Sequence, residues 1–152
     1  MGQDEAERVD LPLASDPAPA CPLEAGPQEA GPLEDGTAEA QIAAALGIGR
    51  NQRHMLLCVG PSCVSETQGL ETWSYLKTRL KELEAQGILP VACVNRSKVS
   101  CLRICRGGPI LVIYPEGTWY RAVTPQNCAR IIDEHLGQGR VVEELAFAHN
   151  PL

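Results

Sequence analysis

A chain of 152 residues has room for one compact domain and some sequence besides. Its 44% hydrophobic content, with only 4% aromatic side chains, predicts a small α/β core of Val, Ile, Leu and Ala, and no apolar run nears the roughly 18 to 20 residues of a bilayer-spanning helix. The net charge of −6 argues against a nucleic-acid partner and is unevenly placed: residues 1–40 hold one basic and ten acidic side chains, the remainder twelve and nine.

Residues 1–40 also contain six of the twelve prolines and show no hydrophobic periodicity, so they are expected to form a disordered acidic arm that cannot repay its ordering entropy. Pro12-Leu13, Pro22-Leu23 and Pro32-Leu33 recur at ten-residue steps, an echo too short and polar for a solenoid. Met1 to Asp10 lacks the basic start and apolar stretch of an export signal, and Ala6 stands where a myristoylation motif has Ser or Thr. A cytoplasmic protein without a membrane partner is the expectation. Residues 41–53 are expected to be a linker or short helix, with an Ala-rich stretch from Thr37 to Leu46 closed by Gly47.

The folded domain is expected over 54–149. Met55 to Val59, stopped by Gly60-Pro61, is predicted as a buried strand. Trp73, Leu76, Leu80 and Leu83 then recur at helical steps among charged residues until Gly87, which predicts an amphipathic helix. Val91 to Val94 is predicted as a second strand, parallel to the first through a right-handed crossover. Ile110 to Tyr114 and Thr118 to Val123 flank Pro115-Glu116-Gly117 and predict an antiparallel hairpin about a type I turn. Thr124-Pro125 begins a last helix whose buried stripe is Cys128, Ile131, Ile132 and Leu136. The fold class is therefore α/β, with helices flanking a mixed β-sheet.

Seven cysteines without an export signal point to metal or redox chemistry rather than to a disulfide framework. Four fall in two loop-borne pairs, Cys58-x4-Cys63 and Cys101-x3-Cys105, beside Gly60, Pro61, Gly107 and Gly108, whose small or turn-forming character permits close approach. Four thiolates suit a [2Fe–2S] cluster and equally a structural zinc ion, and spacing alone leaves both open.

The stretch Cys101-Leu-Arg-Ile-Cys105-Arg-Gly-Gly-Pro109, followed by Ile-Leu-Val-Ile-Tyr-Pro-Glu-Gly-Thr-Trp-Tyr120 and a Thr-Pro helix start, resembles the thioredoxin-like [2Fe–2S] ferredoxins. The Cys58-Val-Gly-Pro-Ser-Cys63 loop is similar to the first half of that pattern, and the likeness extends over about 54–147. It implies a thioredoxin-like fold and a [2Fe–2S] cluster held by Cys58, Cys63, Cys101 and Cys105. It further implies electron transfer in place of enzymatic turnover, redox proteins as donor and acceptor, and the possibility of a homodimer. A similar module occurs in a flavoprotein-associated subunit of respiratory NADH dehydrogenases and related hydrogenases. The acidic arm has no counterpart in the pattern.

Cys93 and Cys128 are expected as core packing, Cys21 as incidental, and His54, His135 and His149 as surface residues. Trp119 and Tyr120 are assigned no function beyond strand packing. Arg96, Lys98, Arg103 and Arg106 bracket the second cysteine pair and would set positive potential beside an anionic cluster, favouring its reduction and drawing in an acidic partner. A thiol–disulfide oxidoreductase is the enzyme alternative, but the chain contains no C-x-x-C, and it has no G-x-G-x-x-G loop or nucleophile elbow.

Overall fold

A computed structural model describes residues 36–152. The expected disordered arm, the Pro-Leu echo and Cys21 lie outside the described residues, apart from the last few positions before 40. In chain order the elements are α1 (Ala38–Ala45), β1 (Arg53–Cys58), α2 (Glu66–Ala85), β2 (Val94–Val99), β3 (Ile110–Tyr114), β4 (Thr118–Tyr120), α3 (Pro125–Arg130) and β5 (Ala146–His149). The strands form one mixed sheet in the order β2-β1-β3-β4-β5. Helix α1 crosses position 40, capped by the Thr37 hydroxyl, and buries none of its residues.

β1 is the central organiser. Met55 and Leu57 point into the core with no exposure, and the strand pairs parallel with β2 and antiparallel with β3. Its last residue, Cys58, stands opposite Val99 at the end of β2 and Ile110 at the start of β3. The loops that leave β1 and β2 and the loop that enters β3 therefore share one end of the sheet. Both cysteine pairs lie in those loops.

Helix α2 begins at Ser65, whose hydroxyl accepts from the Gln68 amide at 3.3 Å, and ends ahead of Gly87, which takes a φ of +71° that side chains rarely adopt. Thr72, Leu76, Leu80 and Leu83 form its buried stripe, with Trp73 at the margin. Helix α3 starts at the Thr124 cap with Pro125 in its first turn, then runs on as a π-helical segment, Ile131–Leu136. Asp133 of that segment receives the Arg79 guanidinium of α2 at 2.8 Å, tying the two helices together.

Three elements depart from the expectations. The second strand occupies Val94–Val99 rather than Val91 to Val94, because Ala92 has a φ of +62° and the Cys93 amide turns back to the Pro90 carbonyl at 3.1 Å. The strand that follows is polar, as an edge strand solvated along much of its length permits. The hairpin's second strand stops at Tyr120, since the backbone after it bonds to the loop before β3, with the Val123 amide donating to the Pro109 carbonyl at 3.0 Å. β5 has no counterpart in the sequence reading. It is four residues long and mostly exposed, so it shows no alternation of buried and solvent-facing positions.

His135 also departs from its expected surface position. It is 2% exposed, and its Nδ1 lies 2.8 Å from the Tyr120 hydroxyl, which also accepts from the Val142 amide at 3.4 Å. Burial lowers its pKa to about 4, opposed by Glu116 and assisted by Arg53 and His149. A histidine whose folded pKa lies below its unfolded value contributes stability that is present above about pH 6.5 and lost as pH falls towards 4. This group should remove roughly 3 kcal/mol of stability across that window. Urea unfolding at several pH values should show the decline, and the His135→Gln variant, less stable at pH 7, should show a shallower one.

Candidate metal centre

Cys58 closes β1 with 1% exposure, fixed by the ladders on both sides. Cys63 follows after a turn in which the Cys63 and Val64 amides donate to the Gly60 carbonyl at 2.9 and 3.1 Å, and it is half-buried. Cys101 and Cys105 are exposed on the loop from β2 to β3. All four carry free thiols.

The two loops interlock through backbone. The Val59 amide donates to the Val99 carbonyl at 3.0 Å, Cys58 Sγ lies 3.9 Å from the Ser100 carbonyl oxygen, and Cys63 Sγ lies 3.9 Å from that of Ile104. Two glycines allow this approach. A Cβ at Gly60 would overlap the Ser100 carbonyl oxygen, and one at Gly108 would overlap both the carbonyl oxygen and the Sγ of Cys63. Neither position has a positive φ, so the constraint is space and not backbone conformation.

Burial and neighbouring thiols both act on the proton affinities of these cysteines. Burial, and after it the adjacent Cys58 thiol, pushes Cys63 up to about 11, with Cys105 contributing as well. Cys105 is raised too, by desolvation first, then by Cys101 and more distantly by Cys58. The structure thus brings the four expected cysteines together as two pairs, Cys58 with Cys63 and Cys101 with Cys105. Binding a metal would displace the protons that these neighbours otherwise keep in place.

Arg103 has a φ of +65°, and in that conformation its backbone amide donates to Cys101 Sγ at 3.2 Å. Its side chain and that of Arg106 are exposed, which the sequence leaves undecided, while Lys98 is exposed and Arg96 half-buried. Arg121, not singled out in the sequence reading, joins them. A Cβ at Gly107 would meet the Arg121 Cβ at 3.7 Å, and the Ala122 amide donates to the Gly107 carbonyl at 2.6 Å. The only sequence signal for Arg121 is its place just after β4, and that says nothing of the loop it touches.

The remaining candidates stay apart from the centre. Cys128 is fully buried in the core, which drives its thiol up to about 12. Cys93 is 3% exposed and disulfide-bonded, a pairing not foreseen from a chain expected to keep its thiols reduced. His54 meets Ser97 at 2.8 Å and His149 meets Thr118 at 3.3 Å, so these histidines have local roles. Tyr120 is core, and Trp119 stacks edge-on against Phe147.

No family model matches the chain. Among curated proteins it is 31% identical over 98 residues to a 2Fe–2S ferredoxin of Clostridium pasteurianum, covering 62% of this chain and 94% of that one. It is 30% identical over 93 residues to a putative 2Fe–2S ferredoxin of Priestia megaterium, covering 61% and 68%. A solved thioredoxin-like [2Fe–2S] ferredoxin of Aquifex aeolicus superposes with a TM-score of 0.56 at 23% identity, over 67% of this chain and 96% of the other. At that identity the superposition establishes the fold, which is thioredoxin-like.

Proposed function

Since this chain belongs to the 2Fe–2S ferredoxins, we propose that Cys58, Cys63, Cys101 and Cys105 hold a [2Fe–2S] cluster and that the protein passes single electrons between a redox donor and an acceptor. The observation that carries the reading is the convergence of four free thiols at one end of the sheet, in two pairs. Among the described residues, no three His, Cys, Asp or Glu side chains are gathered as around one metal ion. Paired cysteines of this spacing serve zinc as well, and it is membership of the 2Fe–2S ferredoxins that favours the cluster.

When bound, such a cluster supplies a one-electron couple. The chain's own part is to hold and tune it. Cys58 and Cys63 anchor one side in the fold, while Cys101 and Cys105 bring the other to the surface, where a partner protein can approach. The Arg103 amide withdraws charge from Cys101 Sγ, and the Arg103 and Arg106 guanidinium groups place positive potential nearby. All three favour the reduced, more anionic state. In this role the protein is an electron carrier that partners an oxidoreductase, as its 2Fe–2S ferredoxin relatives suggest.

No helix among the described residues is long and apolar enough to cross a membrane. The cytoplasmic location expected from the sequence suits a centre whose four ligands must stay reduced.

Reduction of the anaerobically prepared protein should produce the paramagnetic signal of a singly reduced binuclear cluster, absent before reductant is added. A sample that stays diamagnetic in both states overturns the proposal. In an Arg103→Gln, Arg106→Gln double variant the cluster should still assemble. Its potential should fall by about 20 mV for each charge removed, taking roughly 0.5 kcal/mol for an exposed charge interaction. Voltammetry measures the shift directly.

A further inference from the structure

Three arginines at the cysteine end of the sheet pair with no acid. Arg103 and Arg106 are exposed in the loop that carries Cys101 and Cys105, and β4, antiparallel to β3, returns to the same end and delivers Arg121, also exposed. No ion pair among the described residues includes any of the three, whereas Arg53, Arg79, Arg130 and Arg140 each meet a carboxylate. The neighbouring acids leave them unmatched. Glu116 is held by Arg53 in the turn at the far end of β3 and β4, Glu144 is held by Arg130, and the exposed Glu66 and Glu143 form no ion pair among the described residues.

The backbone beneath these arginines is fixed. The Arg121 amide donates to the Leu145 carbonyl at 3.0 Å and the Ala122 amide to the Gly107 carbonyl at 2.6 Å, which ties the end of β4 to the cysteine loop. Arg103 and Ala122, with φ of +65° and +50°, are two of the three non-glycine residues with left-handed backbone among the described residues. Such conformations cost energy, persist only where the surrounding structure imposes them, and concentrate at ligand clamps and functional loops. Charges rooted in a fixed backbone also lose less entropy on meeting a partner than charges on a mobile loop.

On the reading of Cys101 and Cys105 as cluster ligands, we propose that Arg103, Arg106 and Arg121 form a docking face for a compact acidic patch on a partner protein, seated beside the exposed ligand pair. A long polyanion suits the face less well. The chain's net charge of −6 repels it at a distance, and the stretch from Ser100 to Pro109 has no aromatic side chain on which a base could stack. A compact patch has to match only the local charge. Its attraction should fall steeply with ionic strength, because the three guanidinium groups face solvent.

The test uses the full chain, prepared anaerobically, and a capped hexaglutamate peptide as acidic probe, with affinity read by fluorescence anisotropy at low and high salt. Replacing Arg103, Arg106 and Arg121 together by Gln should weaken binding about tenfold at low ionic strength, with the difference vanishing near about 0.5 M salt. A charge-matched control, Arg50→Gln with Lys77→Gln and Lys81→Gln, removes three positive charges away from the cysteine loops and should change affinity by about twofold or less. Equal weakening in the two variants would mean a general net-charge effect and overturn the proposal, as would a wild-type chain that does not bind the peptide. A thymidine hexanucleotide that binds more tightly than the peptide through the same arginines would overturn it too, by making the face one for nucleic acid. Iron is measured in the same samples. Peptide binding as expected by a chain without iron would leave the face in place and remove the cluster, whereas an iron-containing chain without the expected binding would remove the face alone.

Discussion

Replacing any one of Cys58, Cys63, Cys101 or Cys105 by Ala should lower bound iron by about tenfold or more and bleach the visible absorption. Each of the four would supply one thiolate to the cluster, so removing any one would leave it a protein ligand short. The control is Cys128→Ala. That thiol is fully buried in the core and apart from the centre, so its loss should cost about 1 kcal/mol of stability while leaving the cluster spectrum intact. Iron content and absorption of the five variants, purified side by side without oxygen, decide the ligand set. A ligand variant with a normal spectrum would remove that residue from it.

Gly108→Ala should have the second-largest effect, through space alone. The added methyl group meets the backbone carbonyl and the Sγ of Cys63 together, and neither is the free end of a flexible side chain. The two cysteine loops must part, with a stability cost of about 1–3 kcal/mol and, on the proposed ligand set, faster loss of iron to a chelator. Gly60→Ala should behave similarly against the Ser100 carbonyl. Gly137→Ala provides the comparison, since its methyl would lie an ordinary 3.7 Å from the Ile132 carbonyl. Thermal melts and chelator kinetics on the three variants check the ranking. Equal behaviour of Gly108→Ala and Gly137→Ala would show that the loops do not depend on close approach.

Much of this arrangement could be read from the residues, and the parts that could not have physical reasons. The cysteine pairs, β1 and β3 were legible because the apolar runs of those strands are bounded by Gly and Pro where the chain has to turn. The placement of β2 was not. Its apolar residues, Val91 to Val94, belong largely to a turn fixed by the left-handed backbone at Ala92, and the strand itself is the polar stretch after it. β5 is too short and too exposed to leave a periodic signal. His135 reads as an ordinary polar residue until the Tyr120 hydroxyl is seen to satisfy it within the core. Arg121 becomes part of the site only through the Gly107 contacts, a tertiary fact with no local trace. Gly60 and Gly108 were recognisable as small residues near the paired cysteines, but which atoms they make room for required the fold.

The central claim is that these four thiols hold iron and sulfide, and one anaerobic sample tests it. Its visible spectrum is recorded while iron, acid-labile sulfide and zinc are measured in the same tube. The account predicts a coloured protein with about two iron and two sulfide per chain and negligible zinc. A colourless protein with about one zinc per chain and no iron would contradict it and return the cysteines to a structural role.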